Sequence, residues 1–396
     1  MSAPERWKKE TSPGIVVVGA GVLGLAIATA LAAKGANVTV VDKGAPVGGT
    51  SGTSFAWVNS NGKAPHAYHA LNAEGLRRHA AWQRDLPPAL QWFRRAGAFE
   101  WAGGGAFAEL ERRVKVLQAI GYAADIVEAE QARRANPGLR VPGDVVAAFS
   151  EEGYVEVARF AAWALLKLRD AGARLAFGQA VARIGPAAGG VSLWLENGEE
   201  IAADRLVLAT GRWTRPTLHE LGYDFAAPDP LASGVRVRSL LAYTAALPVQ
   251  LQSLIFTDRL NLRPDGGGRL VLQSAELDAF LADESEIAAN GAFAQEFRRR
   301  LGDLLPFLPH DAIRELRIGR RSLTDDRLPA IGWIDGSIYL AVTHSGVTLA
   351  PVIADIAAAE ILAEEESDAL ADFRPRRLLN PAQAVAKRTS ALHSAQ

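Results

Sequence analysis

The sequence predicts an α/β fold organised around a nucleotide-binding domain with a parallel sheet. An apolar run, Ile15-Val16-Val17-Val18, leads into Gly19-Ala20-Gly21-Val22-Leu23-Gly24, and a helical pattern follows over residues 25–34. A second apolar run ends at Asp42, eighteen residues beyond Gly24. Strand, glycine turn, helix and acid in this order are typical of a Rossmann-type βαβ unit, whose turn holds a pyrophosphate and whose acid binds a ribose.

Each glycine of the turn has a separate physical role. Gly19 makes the turn, Gly21 lets a pyrophosphate approach the backbone, and Gly24 lets the helix lie close to the strand. The helix N-terminus adds free N–H groups and a partial positive charge. The residues predicted here to bind the cofactor are Gly19, Gly21, Val22, Leu23, Gly24, Asp42 and Lys43.

Length and composition narrow the class of protein. A chain of 396 residues is longer than one hydrophobic core usually serves, so we expect two domains. The net charge of −1 argues against a nucleic-acid partner, because such proteins carry a basic excess. The chain contains no cysteine, which excludes disulfides, thiolate nucleophiles and cofactors linked or ligated through cysteine sulfur.

Further small-residue loops indicate a longer cofactor than NAD. Gly49, Thr50 and Ser51 lie in a loop rich in small and hydroxylic residues that follows Asp42, and a later apolar strand runs into Ala209-Thr210-Gly211. A last helix begins near Gly346. Glycine-containing loops near residues 19, 50, 210 and 346 are enough to enclose FAD, because ligands approach an open α/β sheet at the carboxyl ends of its strands.

The remaining patterns suggest how the chain is divided. Helices are expected over residues 66–86, 89–96, 109–120, 129–135 and 157–171, and Asn197-Gly198 predicts a hairpin. Residues 234–275 resemble an antiparallel sheet with one apolar face and one arginine-bearing face, followed by a helix over 284–305. We expect an FAD-binding domain over 13–85, 150–228 and 320–380, a substrate domain over 86–149 and 229–319, and tails at 1–12 and 381–396.

Two C-terminal segments complete the set of motifs. They are Gly319-Arg320-Arg321-Ser322-Leu323-Thr324-Asp325-Asp326-Arg327-Leu328-Pro329 and Thr343-His344-Ser345-Gly346-Val347-Thr348-Leu349-Ala350-Pro351. Together with the glycine turn, the loop 48–51 and the strand end 209–211, they resemble the FAD-dependent amine and amino-acid oxidoreductases of the D-amino-acid oxidase superfamily, which includes glycine and sarcosine oxidases. The motifs span nearly the whole chain in the family's order.

The resemblance implies a Rossmann-type FAD-binding domain, discontinuous in sequence, and a substrate domain on a mainly antiparallel sheet with helices. It places Gly346, Val347 and Thr348 at a helix N-terminus facing the flavin pyrimidine, and Val181 beside the adenine. Relatives with a histidyl-linked flavin carry a histidine just after the small-residue loop, where this chain reads Ser51-Gly52-Thr53-Ser54-Phe55. Since cysteine is also absent, noncovalent FAD is expected.

The resemblance also assigns the substrate-binding residues. Arg321 matches the arginine that binds the substrate carboxylate in several family members, although Ser322 replaces the proline that follows it. The alternative is that Arg321 pairs with Asp325 or Asp326. Other possible carboxylate anchors are the sheet arginines Arg236, Arg238, Arg259 and Arg263.

Two further candidates come from residue type and position. Tyr243 is a candidate to close over a substrate, with an ordinary sheet residue as the alternative. His344 lies at a strand's carboxyl end, where its usual pKa suits acid/base work near neutrality, with a structural role as the alternative. His66 and His69 lack a third ligand for a metal, so no metal site is predicted.

The sequence therefore predicts an FAD-dependent oxidation of a small amine or amino acid, with hydride passing from the substrate α-carbon to flavin N5 and hydrolysis of the imine. Oxygen or an electron carrier would accept the electrons. The alternatives are an NAD(P)-dependent dehydrogenase and an FAD-binding subunit of a multi-subunit dehydrogenase. A cytoplasmic location is expected for two reasons. The first twelve residues lack the apolar core of a signal peptide. No apolar stretch is expected to reach the ~18 residues that a spanning helix needs.

Overall fold

The computed structural model describes residues 14–234, 236–281 and 287–380. The expected tails, Val235 and the first residues of the helix expected from residue 284 lie outside these ranges. The helices are α1 (Val22–Ala33), α2 (His66–Trp82), α3 (Ala106–Ala119), α4 (Ala129–Ala135), α5 (Val157–Asp170), α6 (Thr214–Glu220), α7 (Ala275–Ala279), α8 (Ala292–Leu304) and α9 (Gly346–Ala363). The strands are β1 (Gly14–Val18), β2 (Asn37–Asp42), β3 (Trp57–Val58), β4 (Phe93–Arg94), β5 (Ala98–Glu100), β6 (Asp125–Glu128), β7 (Val145–Phe149), β8 (Gly153–Val155), β9 (Arg174–Phe177), β10 (Val181–Ala187), β11 (Gly190–Leu195), β12 (Glu200–Ala203), β13 (Arg205–Leu208), β14 (Asp224–Phe225), β15 (Arg238–Thr244), β16 (Leu254–Phe256), β17 (Asn261–Pro264), β18 (Leu270–Gln273), β19 (Ile313–Arg320), β20 (Ala330–Trp333), β21 (Ile338–Val342) and β22 (Leu379–Asn380).

A six-stranded sheet in the order β20-β21-β13-β1-β2-β9 forms the nucleotide-binding core. Its strands pair in parallel, except that the edge strand β20 is antiparallel to β21. β1 is central, with Val16 opposite Leu206 on one side and Thr39 on the other. The turns after β1, β2, β13 and β21 therefore meet at one edge of the sheet, where ligands bind in folds of this kind.

Alternate residues of β1 enter two different cores. Ile15 and Val17 pack with α1, α5 and α9 on one face of the sheet. Val16 and Val18 pack on the other face against the three-stranded antiparallel sheet β10-β11-β12. Burial of both faces explains why β1 is a continuous apolar run. The hairpin predicted at Asn197-Gly198 is confirmed, because it joins β11 to β12.

A second sheet carries the other half of the molecule. Its eight strands follow the order β19-β15-β18-β17-β16-β5-β7-β6, and every pair is antiparallel except β16 with β5. α8 packs on it through Phe297 and Leu301, and α3 packs at the opposite end through Leu110 and Val114. The mainly antiparallel sheet with helices expected from the sequence is confirmed.

The helix expected over residues 89–96 is wrong, because Phe93–Arg94 form β4 and pair with β8. Gln83 holds this segment extended. Its Oε1 accepts hydrogen bonds from the N–H groups of Trp92 and Phe93, and its Nε2 donates to the Phe93 carbonyl. A buried amide from a neighbouring helix thus overrides local helix propensity.

The sheet face expected to carry solvated arginines is partly covered. Arg263 is only 6% exposed and donates to the Phe55 carbonyl at 2.7 Å, and Arg238 is 8% exposed. Arg259 is exposed beside Glu296 and Asp303. The arginines expected in this region therefore differ in exposure, and Arg263 is buried because the chain around Phe55 lies over it.

Helix α9 corrects the expectation that no apolar stretch reaches spanning length. Its 18 residues have a mean hydropathy of 1.7, and 67% of them are buried within the protein. They pack between α1, α2 and the six-stranded sheet, as expected for the core helix of a domain. Near its end, Glu360 is 1% exposed and accepts two hydrogen bonds from the Arg374 guanidinium and one from Tyr339.

Candidate active site

The glycine turn after β1 is fixed by backbone approaches that no larger residue allows. Gly19 has a φ of +111°, and a Cβ there would lie 2.3 Å from the Ala209 carbonyl oxygen. A Cβ on Gly24 would lie 1.9 Å from the Gly19 carbonyl oxygen. The tight turn and the close helix expected from the sequence are therefore both present.

Asp42 organises this turn as well as facing the cavity beside it. Its Oδ2 accepts a hydrogen bond from the Ala20 N–H at 2.7 Å, and its Oδ1 accepts one from the Gly44 N–H at 2.8 Å. Each carboxylate oxygen can accept further bonds, so a ribose contact is compatible with this arrangement. The link from Asp42 to the glycine turn was not anticipated from the sequence.

The small-residue loop bridges the two large sheets. Ser51 Oγ accepts a hydrogen bond from the Val22 N–H at 3.0 Å, at the start of α1. Thr50 Oγ1 donates to the Arg320 carbonyl at 2.6 Å, at the end of β19. A Cβ on Gly319 would lie 2.5 Å from the Thr53 carbonyl oxygen, so glycine is needed for this approach.

A cavity of about 600 Å³ lies where these turns meet. Of the residues predicted to bind the cofactor, those lining it are Gly19, Gly21, Val22, Leu23, Asp42, Lys43, Gly49, Thr50, Ser51, Val181, Ala209, Thr210, Gly211, Gly346 and Val347. Gly24 packs beneath the turn, and Thr348 lines a second, adjoining cavity. Trp213, which sequence reasoning missed, lies at this cavity under the Lys43 ammonium, 3.7 Å from its ring centroid.

The cavity has the form and chemistry that FAD requires. It is lined by residues at four strand ends, and the N-termini of two helices, α1 and α9, border it. Helix N-termini supply unpaired N–H groups and favour negative charge, which suits a pyrophosphate at one and a flavin pyrimidine at the other. Within residues 14–234, 236–281 and 287–380, no group of three His, Asp or Glu side chains could hold a metal.

The second cavity, of about 320 Å³, shares part of its wall with the first. Thr50, Ser54, His344 and Val347 line both of them. Trp57 stacks with Phe256, with their ring centroids 4.3 Å apart, and both form an aromatic wall of the second cavity.

Arg321 lines this second cavity, and hydrogen bonds to a backbone carbonyl and a carboxylate hold its guanidinium. Nη1 donates to the Arg238 carbonyl at 2.7 Å, and Nη2 donates to Asp278 Oδ2 at 3.1 Å. The Asp278 side chain is 3% exposed and also accepts from Gln273 and from the Leu240 N–H. This arrangement fixes the side chain of a residue that lines a cavity adjoining the cofactor site.

The carboxylates considered as partners of Arg321, and the other residues considered as substrate anchors, lie elsewhere. Asp326 pairs with Arg377, and the Asp325 carbonyl accepts a bond from Arg236. The sheet arginines 236, 238, 259 and 263 are absent from the described lining of the second cavity. Tyr243 also lies outside both described cavities, beside the Arg317 guanidinium at 4.6 Å from its ring centroid. The structure thus brings Arg321 and His344 together but not Tyr243.

His344 is not the near-neutral acid/base group that its residue type suggested. Its side chain is exposed where the two cavities meet, and the surrounding protein walls displace part of the water that would solvate a charge. Burial, together with the positive charges of Lys63, Arg321 and Arg327, lowers the pKa of His344 to about 4. The imidazole is therefore neutral near pH 7, where it can donate or accept a hydrogen bond.

A buried polar network behind the aromatic wall was missed entirely. Glu152 is fully buried, and it accepts hydrogen bonds from Trp57 Nε1 at 2.7 Å and from the Tyr122 hydroxyl at 2.8 Å. Burial raises the pKa of Glu152 to about 8. The Tyr122 hydroxyl in turn accepts from the Ser60 N–H. The network fixes the indole that lines the second cavity.

Lys63 was also missed, although it lines the same cavity. The sequence offered one signal nearby, the polar segment Asn59-Ser60-Asn61 directly after the short strand β3. In the structure these three residues are all buried. Polar residues in a sequence ordinarily indicate a surface loop, so their burial needs the three-dimensional context.

Comparison with known proteins agrees with this geometry. The uncharacterized oxidoreductase YurR of Bacillus subtilis (strain 168) is 25% identical over 397 residues, covering 91% of this chain and 98% of that protein. Glycine oxidase from Geobacillus kaustophilus has a similar structure, with a TM-score of 0.77 and 21% identity over 93% of this chain and 100% of that chain. Iminodiacetate oxidase from Chelativorans sp. BNC1 also has a similar structure, with a TM-score of 0.73. Its sequence is 20% identical, over 91% of this chain and 98% of that chain.

The two structural likenesses show the fold, and the family assignment comes from the sequence. The family model for FAD dependent oxidoreductases, DAO, matches residues 14–360. FAD thereby replaces the alternative of a nicotinamide cofactor. The chain belongs to the DAO family of FAD-dependent oxidoreductases.

Proposed function

We propose that this protein oxidises a small amine or amino acid that carries a carboxylate. The observation that supports the proposal most strongly is the second cavity, which adjoins the FAD cavity and has Arg321 in its wall. A guanidinium binds a carboxylate through two parallel hydrogen bonds and so fixes the position of the neighbouring carbon. The names of the structural neighbours, glycine oxidase and iminodiacetate oxidase, agree with this substrate class.

Each wall of the second cavity has a part in the proposed reaction. Arg321, fixed by Asp278, orients the substrate through its carboxylate, and Trp57 with Phe256 excludes water from the reacting carbon. His344, neutral near pH 7, offers a hydrogen bond to the amine without competing for its proton. FAD supplies the hydride acceptor, so the protein contributes mainly orientation and charge. The imine product then hydrolyses in water.

The test of the anchor is a pair of substitutions. Arg321→Met alone leaves the Asp278 carboxylate buried without its cation, so we combine it with Asp278→Asn to limit the loss of stability. We expect the transition-state binding energy for a carboxylate substrate, measured as kcat/KM, to fall by about 2–4 kcal/mol. Arg317→Met, on the strand β19 that precedes Arg321 and paired with exposed Glu315, is the control and is expected to keep wild-type kinetics. Unchanged kinetics in the double variant would refute Arg321 as the anchor.

Anaerobic mixing of the FAD-loaded protein with a panel of amines and amino acids tests the function itself. Loss of the oxidised-flavin absorbance supports the proposal. A flavin that no amine reduces would instead favour the FAD-binding subunit of a larger dehydrogenase. The proposed setting is the cytoplasm, and cell fractionation tests it.

A further inference from the structure

Lys63 adds an ammonium to the second cavity, which the arginines Arg320 and Arg321 also line. It lies in the loop between β3 and α2 and lines the cavity together with Arg321 and His344. Its ammonium makes no hydrogen bond or ion pair with any residue that the structure describes, and the nearest aromatic contact is the Tyr68 ring, with its centroid 5.8 Å away. Arg321 differs, because Asp278 balances its charge.

The surroundings of Lys63 do not neutralise it. No carboxylate appears among the described residues that line this cavity. Glu152 is the carboxylate whose charge acts on Lys63, but its two oxygens already accept bonds from Trp57 and Tyr122, and its pKa is raised to about 8. Burial thus disfavours the charged form of Glu152, which is the form that would balance the Lys63 ammonium.

The direction of two pKa shifts agrees with a cation whose described cavity wall holds no carboxylate. Burial lowers the pKa of Lys63, the direction expected for an ammonium without a partner. The charge of Lys63 is also among the causes that lower the pKa of His344. A partly buried ammonium facing a ligand cavity is costly unless an anion joins it there, and a substrate held only through Arg321 would supply no anion for Lys63.

We infer that the substrate is a small amine bearing two carboxylates, one bound by Arg321 and the second by Lys63. The inference rests on the proposed function and specifies its substrate class. The second carboxylate belongs either to an amino-acid side chain or to the substituent on the amine nitrogen. Both sources share the same chemistry, and the cavity of about 320 Å³ is large enough for either.

The test compares substrates that differ only in the second carboxylate. FAD-loaded enzyme is mixed anaerobically with iminodiacetate or sarcosine, and with glutamate or glutamine in both enantiomers. We expect the dicarboxylate member of one pair to reduce the flavin with a second-order rate constant about tenfold to hundredfold higher, the range for a charged hydrogen bond. Preference in the first pair places the second carboxylate on nitrogen, and preference in the second pair places it on the side chain.

Substitutions at position 63 connect the preference to Lys63. Lys63→Met is expected to remove it by slowing only the dicarboxylate reaction, whereas Lys63→Arg retains most of it. Lys115→Met, at an exposed lysine on α3, is the control. Spectral titration of the bound flavin with succinate and with butyrate gives a readout without turnover, and Lys63→Met should weaken the binding of succinate alone.

The outcomes separate the two levels of the argument. If monocarboxylate amines reduce the flavin as well as dicarboxylates do, the two-carboxylate inference fails and the proposed function stands. If only amines without a carboxylate reduce it, both fail. If no amine reduces it, the proposed function fails. Equal losses for both members of a pair in Lys63→Met, or a defect confined to reoxidation by oxygen, would also overturn the role given to Lys63.

Discussion

The two adjoining cavities are built from different parts of the polypeptide. The FAD cavity is shaped by backbone: glycine turns, strand ends and helix N-termini. The substrate cavity is shaped by side chains that come from distant segments, such as Trp57, Phe256 and Arg321. One surface is thus specified by local sequence motifs, and the other by how the two large sheets meet.

The largest expected effect tests the backbone construction of the FAD cavity. Gly24→Ala puts a Cβ 1.9 Å from the Gly19 carbonyl, so α1 must move away from β1. We expect the free energy of unfolding to fall by about 3 kcal/mol and bound FAD to be lost. Urea denaturation and the flavin absorbance of the purified protein measure the two effects.

Gly103→Ala is the matched control, because nothing lies within 4 Å of a Cβ at this position. It should denature at the wild-type urea concentration with a full complement of FAD. A Gly24→Ala protein with wild-type stability would show that the close approach of helix and strand is not required.

A smaller effect tests how the buried Glu152, which accepts a hydrogen bond from Trp57 in the wall of the second cavity, contributes to stability. The pKa of Glu152 in the folded protein is about 8, above its ordinary value of 4.5. The contribution of Glu152 to stability is therefore largest below pH 4.5. It is lost as the pH rises toward 8. Glu152→Gln keeps acceptor and donor groups for Trp57 and Tyr122 but cannot ionise. We expect its stability to decline less than that of the wild type between pH 5 and 8.

Chemical denaturation at several pH values, followed by the intrinsic fluorescence of the protein, measures the difference. Each unit between the two pKa values corresponds to about 1.4 kcal/mol. Glu156→Gln, at a partly exposed carboxylate paired with Arg94, serves as the comparison. Parallel curves for Glu152→Gln and wild type would contradict the burial argument.

The smallest expected effect concerns His344, where the two cavities meet. Since its pKa is about 4, its charge does not change between pH 5 and 8. His344→Asn retains hydrogen-bonding capacity and should leave the shape of the pH profile of kcat/KM unchanged across that interval. A limb near pH 6.5 that disappears in the variant would show that His344 titrates in the working enzyme.

The contrast between the cavities also explains what the sequence could predict. The glycine turn, Asp42 and the strand end 209–211 were assigned correctly to one edge of a parallel sheet, because glycine spacing constrains the local backbone. Lys63, Asp278 and Glu152 were missed, because their importance depends on burial and on partners far along the chain. Arg321 was selected through the resemblance, and its support by Asp278 could not be read from spacing.

The Glu360–Arg374 pair has a consequence for where this domain ends. The family match stops at residue 360, yet the guanidinium that neutralises this carboxylate lies fourteen residues later and is 4% exposed. A chain shortened at the family boundary would leave an uncompensated charge at the end of α9, the helix whose start lines the flavin site. We therefore expect a shortened chain to need the segment through Arg374 for a stable fold.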